Sequence, residues 1–272
     1  MKTRIISAAV AFVVALVVLI LHDTIIFDIA IALVSAGAVF ELLRAASCMK
    51  FAAPSAISIG YAFLYLFMNF ADNSAVWHYG LKGVLAIGLA LCFFRMHSEM
   101  NFYHVSFMTA SALLVPAALA TLVNMNNMEF GIFLVVLTLC YAWLADSGAY
   151  FAGTFLGKHK LCPTISPKKT VEGVAGGAVT NAVLGLILCF IYDKVINDGA
   201  VDFNYLMVIL VGLISAIVGL AGDLSASLIK RQCGIKDYGN IMPGHGGVMD
   251  RFDSVLFVAP FMYFVVTAGL LF

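Results

Sequence analysis

Long runs of apolar residues, separated by short polar segments, follow one another along the whole chain. A helix that crosses a bilayer needs about 20 mainly apolar residues. Backbone polar groups in lipid must also be paired within their own segment, which favours helices. The runs therefore predict nine transmembrane helices, of which the fourth is the shortest. They lie at residues 5–21, 24–43, 53–70, 80–94, 104–123, 130–150, 173–192, 205–228 and 254–271.

The first apolar run follows Lys2 and Arg4, as the apolar part of a signal peptide does. No clear small-residue cleavage site precedes His22 and Asp23, and many further runs come later in the chain. We therefore interpret the first run as a transmembrane helix that is retained.

Composition supports this fold class. Of the 272 residues, 63% are hydrophobic and 11% are charged, whereas soluble domains carry about 25% charged residues. This excludes an ordinary cytosolic domain, a disordered chain and a disulfide scaffold. We predict an all-α polytopic membrane protein in which N-terminal spanning helices, 1–128, and a C-terminal catalytic membrane domain, 129–272, form one integrated unit.

The placement of charge predicts the orientation, although the formal net charge is zero. With nine spans and a cytoplasmic N-terminus, 13 of the 15 Lys and Arg residues lie inside, and only Lys82 and Lys194 lie outside. Such an excess marks the cytoplasmic side. The C-terminus is then outside. Two cytoplasmic loops, at about 151–173 and 229–253, hold eight of the basic residues and should carry the chemistry.

The first loop has the composition of a phosphate-binding segment. Glycines allow backbone N–H groups to approach phosphate oxygens, and Gly173 opens a helix whose N-terminus favours anions. The alternative is a set of lysines that only meets anionic lipid head groups. Asp146, near the end of the sixth span, could join the site. The candidate substrate-binding residues of this loop are Ser166, Lys168, Lys169, Thr170 and Glu172.

The second loop follows a carboxylate inside the eighth predicted span, Asp223. Ionisable residues at membrane depth are usually functional; the alternative is a buried ion pair with a Lys or Arg. Ser227 lies four residues further on, and Lys230 continues the same helical face. Lys230 and the neighbouring Arg231 are therefore candidates for neutralising phosphate charge.

The end of the second loop adds Asp250, Arg251 and Asp253 at the start of the ninth span. Carboxylates that converge at a membrane boundary suit a hard divalent cation, and magnesium takes one or two carboxylates together with phosphate oxygens. The alternative is that these aspartates cap a helix. His245, among glycines, could bind phosphate, act as an acid or occupy a turn. In the second span we predict a structural pair between Glu41 and Arg44.

These motifs resemble those of a known family. The run from Ser227 to Arg231, followed by Lys236–Gly239 and Met242–Asp253, is similar to the signature of the phosphatidate cytidylyltransferases, also called CDP-diacylglycerol synthases. The segment from Asp146 to Gly173 resembles a second block of that family. The specific resemblance covers about residues 141–255. It departs at Met242, where the family usually has Leu, Ile or Phe, a volume-conserving change.

The resemblance implies that CTP and phosphatidate give CDP-diacylglycerol and pyrophosphate, with Mg²⁺ as cofactor, at the cytoplasmic face of a plasma or inner membrane. It also implies a homodimer, and no nucleic-acid partner is expected. It leaves open which loop takes which substrate. By this resemblance Asp146, Asp223, Asp250 and Asp253 hold metal. The catalytic residues are Asp223, Lys230, Arg231, His245, Asp250 and Arg251; Ser166, Lys168, Lys169, Thr170, Glu172, Ser227, Lys236 and Asp237 bind substrate.

Two other classes of function are compatible with parts of the sequence. A relative could transfer a cytidylyl group to another lipid phosphate, or act as a CTP-dependent lipid kinase. A transporter with an acidic intramembrane site is a third possibility. Transporter sites usually lie near the bilayer midplane between repeats. Here the polar residues gather at one face and no repeat is visible, which disfavours transport.

Overall fold

The computed structural model describes residues 2–70, 74–240 and 246–272. Helices dominate this part of the chain, as the apolar runs predict. The helices are α1 (Lys2–Ile20), α2 (Ile25–Ala45), α3 (Ala52–Leu64), α4 (Ser74–Arg95), α5 (Phe102–Asn126), α6 (Gly131–Phe155), α7 (Val171–Ile191), α8 (Tyr205–Gln232), α9 (Met249–Phe252) and α10 (Val255–Thr267).

Each of the nine predicted segments overlaps one of these helices, so the helical assignments are confirmed. The shortest predicted segment, 80–94, is part of α4, which begins at Ser74 and has 22 residues. Its first turns carry Trp77 and His78, which shortened the apolar run that we identified. The helix itself is long enough to cross a bilayer, because 22 residues rise about 33 Å.

Six of the described helices are long and apolar enough to cross a membrane. They are α2, α4, α5, α6, α8 and the helical stretch Val171–Ile196, which extends α7. The segments Ala9–Ile20 and Ala52–Met68 are apolar but shorter. The last predicted span contains α10, which has 13 residues. The all-α membrane class therefore agrees with the structure.

One element was not predicted. The loop between α6 and α7 contains an antiparallel hairpin of β1 (Lys160–Cys162) and β2 (Ser166–Thr170), in which Lys160 faces Thr170 and Cys162 faces Ser166. Pro163 lies in the connection, where its fixed φ suits a turn. Thr170 ends β2 and also caps α7, because its hydroxyl accepts a hydrogen bond from the N–H of Gly173 at 3.1 Å. The hairpin therefore leads directly into α7.

The chain divides into two compact units. The first comprises residues 1–123 and 232–251, and the second comprises residues 124–231 and 252–272. In the first unit, α2 packs against α3 and α3 against α4, around buried side chains such as Phe27, Val39 and Leu43. The segment 232–251 belongs to this unit although it follows α8 in sequence.

The second unit is organised by the close pair of α6 and α7. A Cβ atom added at Gly177 would lie 2.7 Å from the carbonyl oxygen of Ala145, and one added at Gly173 would lie 2.8 Å from that of Ala149. Glycine on α7 therefore allows the two backbones to approach closely, as small residues do between membrane helices. This packing positions the end of α6, with Asp146, beside the start of α7.

Candidate functional site

A cavity of about 410 Å³ lies in the second unit, between α6, α7, α8 and the hairpin. One part of its wall is apolar and consists mostly of small side chains. It includes Ala145, Ala149, Val174, Ala216 and Leu220. The rest is polar and comes mainly from the hairpin and the end of α6. These polar residues are Asp146, Lys160, Ser166, Lys168, Lys169 and Thr170. Four of the five substrate-binding candidates of the first loop therefore line one cavity.

Lys169 joins two of the predicted carboxylates. Its ammonium group on β2 forms an ion pair with Asp223 of α8 and lies 3.8 Å from Oδ1 of Asp146 on α6. The Lys169 and Asp223 side chains are both largely shielded from solvent. Three elements that are distant in sequence thus place a cation between two carboxylates. The ion pair that we considered for Asp223 is present, and its partner is itself a predicted site residue.

The helical spacing predicted on α8 is confirmed. The hydroxyl of Ser227 donates a hydrogen bond of 3.4 Å to Oδ1 of Asp223, one turn earlier. The helix continues to Gln232, so that Lys230 and Arg231 stand on its last turn. The Nε of Arg231 donates to the carbonyl oxygen of Ile165 at 3.5 Å. That contact ties the end of α8 to the turn of the hairpin.

Asp253 is the third predicted metal ligand in the second unit, and only 8% of its surface is exposed. A Cβ added at Gly222 would lie 3.2 Å from Cα of Ser254, which shows how closely α8 passes this segment. Burial, together with the nearby charges of Asp223 and Asp146, raises the pKa of Asp253 to about 7. A hydrogen bond from the N–H of Ser254 and the charge of Lys230 act in the opposite direction. Asp253 can therefore gain or lose a proton near neutral pH.

Glu172, the fifth substrate-binding candidate of the first loop, has a protein partner. Its Oε1 lies 2.6 Å from Nδ1 of His159, and its carboxylate also accepts a hydrogen bond from the backbone N–H of His159. The pair connects the start of α7 to the segment before β1. We did not identify His159 or Lys160 from the sequence. Their position beside glycines and lysines in the loop indicated a possible role. The pairing of β1 with β2, which places them, could not be predicted from the sequence.

Asp250 belongs to the first unit, where its carboxylate shapes a loop. Oδ2 of Asp250 accepts hydrogen bonds from the N–H of Tyr238 at 2.8 Å and from that of Gly247 at 2.9 Å. Gly246, which directly precedes Gly247, has a φ of +86°, a conformation that glycine adopts readily. The capping alternative and the metal-binding prediction therefore both stay open for Asp250, since two backbone donors already use one of its oxygens.

Glu41 and Arg44 of α2, which we predicted to pair with each other, bind this loop instead. Among the described residues no ion pair joins them; Oε2 of Glu41 accepts from the N–H of Met249 at 2.8 Å, and Nη2 of Arg44 donates to the carbonyl oxygen of Tyr238 at 2.5 Å. The sequence offered one signal for Glu41, its carboxylate at membrane depth. It offered none for the partner, which lies 208 residues away.

Four of the remaining candidates have exposed side chains. Lys236, Asp237 and Arg251 have exposed side chains in the first unit. Lys168 is exposed on β2 of the second unit. His245 lies outside the described residues, and its role stays a prediction.

The carboxylates of the second unit suit a hard cation. Among the described residues, no group of three His, Cys, Asp or Glu side chains is placed to hold a metal ion by itself. Magnesium does not require such a group, because it commonly takes one or two carboxylates and completes its shell with water and substrate phosphate. The Lys169 ammonium between Asp146 and Asp223 shows that these two side chains converge on a positive charge. The donor set therefore fits magnesium.

Comparison with known proteins agrees with the sequence motifs. A family model described as the cytidylyltransferase family matches residues 2–268. The chain is 35% identical to a phosphatidate cytidylyltransferase of Bacillus subtilis over 272 residues, which cover 98% of this chain and 97% of the relative. It is 33% identical to a protein of the same name from Staphylococcus haemolyticus over 270 residues, covering 96% and 97%. A relative from Staphylococcus saprophyticus is 34% identical over 267 residues, with the same coverage.

Proposed function

Because the chain belongs to the cytidylyltransferase family, we propose that it is a nucleotidyltransferase that converts CTP and phosphatidate into CDP-diacylglycerol and pyrophosphate. The observation that carries this proposal is the cavity of the second unit, where three lysines and the Asp146 carboxylate lie next to an apolar part of the wall. Such a cavity combines groups for phosphate with a surface for a lipid.

The reaction requires little covalent work from the protein. An oxygen of the phosphatidate phosphate attacks the α-phosphorus of CTP, a new P–O–P bond forms, and the bond to the β-phosphate breaks to release pyrophosphate. The attacking phosphate is already ionised near neutral pH, so no strong general base is needed. Positioning and charge neutralisation are the main contributions of the enzyme. Lys169, Lys168 and Lys160 supply positive charge at the cavity.

We propose that Asp223, Asp146 and Asp253 of the second unit hold Mg²⁺. When bound, the ion would neutralise charge on the phosphates that react. Lys169 would then move from Asp223 and Asp146 to a phosphate oxygen, since an ammonium and a divalent cation compete for the same pair. Asp250 belongs to the first unit, and its assignment as a metal ligand stays a separate prediction.

We further assign the cavity to phosphatidate and the loop at 229–253 to CTP. Cytosine is recognised by hydrogen bonds at its edge, and the wall formed by Ala145, Ala149, Val174, Ala216 and Leu220 offers no side-chain donor or acceptor for that purpose. An apolar wall next to lysines instead matches the start of acyl chains next to a phosphate. Lys236 and Arg251, in the part of this loop that belongs to the first unit, are then left for the triphosphate.

The membrane arrangement completes the proposal. Nine spans, a cytoplasmic N-terminus and an outside C-terminus put the hairpin and the loop at 229–253 on the side where CTP is available. The 13-to-2 distribution of Lys and Arg supports this orientation. The enzyme would then lie in the plasma or inner membrane, with its site at the cytoplasmic face. A homodimer is proposed from the family resemblance alone.

An assay with labelled CTP tests the function. Purified protein in liposomes that contain phosphatidate should transfer label from α-labelled CTP to lipid and should release label from γ-labelled CTP as pyrophosphate. Transfer of the γ-label to lipid would identify a CTP-dependent kinase instead. No lipid product from correctly folded protein would refute both and reopen the transporter hypothesis.

The apolar wall of the cavity gives a prediction about substrate choice. We expect Leu220→Trp to raise KM for phosphatidate by about tenfold, since lost apolar contacts and volume are worth about that much in a binding pocket. KM for CTP should stay unchanged. The matched control is Ile217→Trp, because Ile217 lies on the same helix but is exposed and does not line the cavity. A rise in KM for CTP alone would reverse the substrate assignment.

The raised pKa of Asp253 predicts pH-dependent metal binding. Below about pH 7 the carboxyl is protonated and a cation must displace the proton, so affinity should fall by up to about tenfold per pH unit. Above pH 7 the affinity should level off. Mn²⁺ binding followed by electron paramagnetic resonance, without substrates, avoids the titration of their phosphates. An affinity that is equal at pH 6 and pH 8 would contradict the prediction, and Asp253→Asn should flatten the profile.

A further inference from the structure

The C-terminal half of α2 holds the loop that carries the family signature. We define the signature loop as the two described segments 238–240 and 246–250. Glu41 of α2 is fully buried, and its Oε2 accepts the backbone N–H of Met249, near the end of the loop, at 2.8 Å. A buried carboxylate on a membrane helix is costly unless it is well paired. Here the carboxylate of Glu41 has a specific partner, the backbone N–H of Met249.

Two glycines of the signature loop make room for this carboxylate. A Cβ atom added at Gly239 or at Gly247 would overlap Oε1 of Glu41. Neither glycine has a positive φ, so the backbone conformation does not explain why glycine stands there. Close approach to Glu41 does explain it. The loop and the side chain therefore fit each other at three points, Gly239, Gly247 and Met249.

The other end of the signature loop is held as well. Arg44, one turn after Glu41, donates to the carbonyl oxygen of Tyr238 at 2.5 Å. The N–H of Tyr238 in turn donates to Oδ2 of Asp250 at 2.8 Å. Two residues on one helix thus bind the first residue and the second-to-last residue of the loop. Asp250 links the two segments, because its Oδ2 accepts from the N–H groups of both Tyr238 and Gly247.

We propose that Glu41 and Arg44 are positioning residues for the signature loop, and this role rests on the proposed cytidylyltransferase function. Fixing a backbone segment costs conformational entropy, and a small misplacement of reacting groups lowers rates strongly. By binding both described segments of the signature loop, α2 holds their backbone in place before CTP binds. The first half of the chain therefore contributes to the site as well as to the membrane anchor.

Hydrogen exchange of the intact enzyme in detergent tests the geometry without any assay of activity. In Glu41→Ala we expect the amides of Gly247 and Met249 to exchange at least about tenfold faster, because a hydrogen bond to a charged group contributes at least about that factor. Arg44→Ala should loosen the Tyr238 end, and this variant should fold normally because Arg44 is exposed. Asp28→Ala, a buried carboxylate earlier on α2, is the matched control. Unchanged exchange in the loop, or faster exchange throughout the protein, would overturn the proposal.

Kinetics supply the second readout. We expect Glu41→Ala to lower kcat/KM by about 10- to 100-fold, the range seen when supporting partners of a site are removed, with a raised KM for CTP. Glu41→Gln should recover most of this loss, because an amide oxygen still accepts from Met249. A variant that only folded less well would lose active enzyme, hence kcat, at an unchanged KM, which would refute positioning. Wild-type protein without activity would refute the proposed function, while the exchange experiment would still decide the role of Glu41.

Discussion

Asp223→Asn should lower the rate of CDP-diacylglycerol formation by at least about 100-fold, the effect expected when charge stabilisation is removed from a transition state. Asp223 contacts Lys169, accepts from Ser227 and adds to the field at Asp253. An asparagine keeps the shape and the hydrogen bond to Ser227 but removes the charge that a cation requires. The measurement is the initial rate in phosphatidate liposomes. Asp202→Asn, at an exposed position away from the cavity, should keep full activity.

A double variant separates metal binding from simple ion pairing at Asp223. If the carboxylate only neutralises Lys169, then removing both charges in Asp223→Asn with Lys169→Gln should restore activity, as for any isolated pair. We expect no restoration, because both groups act on the phosphates. Recovery to near wild-type rates would show that Asp223 is a structural partner of Lys169 and would remove it from the metal site.

Asp250→Asn is expected to lower activity by a similar factor of about 100 and to leave the signature loop in place. The amide oxygen of asparagine can still accept from the N–H groups of Tyr238 and Gly247, which contact Oδ2 in the wild type. The loop therefore keeps its hydrogen bonds while the negative charge is lost. Initial rates across a Mg²⁺ titration measure the catalytic effect, and hydrogen exchange at Gly247 measures the loop.

The two readouts distinguish the roles of Asp250. Lost activity with normal exchange supports a direct part in catalysis or metal binding. Retained activity with normal exchange would remove Asp250 from the metal set and leave it as a residue that shapes the loop. Asp250→Ala, which removes the acceptor as well, is the comparison: it should accelerate exchange at Tyr238 and Gly247 in either case.

The sequence predicted most of the helices because a bilayer imposes a simple length and composition on each span. It also predicted that Asp223 and Ser227 share one face of α8, since helical spacing is local. Lys168 and Lys169 of the cavity were identified from their residue types in a glycine-rich loop, whereas Lys160 was not. The hairpin from Lys160 to Thr170 was missed because three- and five-residue strands carry almost no pattern of their own, and their pairing depends on what they pack against.

The partners of Glu41 show more clearly what the sequence could not predict. Its position at membrane depth, three residues before Arg44, predicted a pair between the two side chains, since residues three apart on a helix are neighbours. The structure instead connects each side chain to a backbone group about 200 residues away. Gly247, near His245, was interpreted from the sequence as a turn residue, although its lack of a side chain, like that of Gly239, serves to admit the Glu41 carboxylate.

By itself, the sequence therefore determined the membrane class, the helices and the residue types available for phosphate and metal, because these follow from composition and from short-range spacing. Only the tertiary structure decided which charges meet. It paired Lys169 with Asp223 and Asp146, gave Asp253 its raised pKa, and bound Asp250 and Glu41 to the signature loop. Electrostatic and hydrogen-bond partners depend on distances of a few ångströms in space, and separation along the chain does not specify those distances.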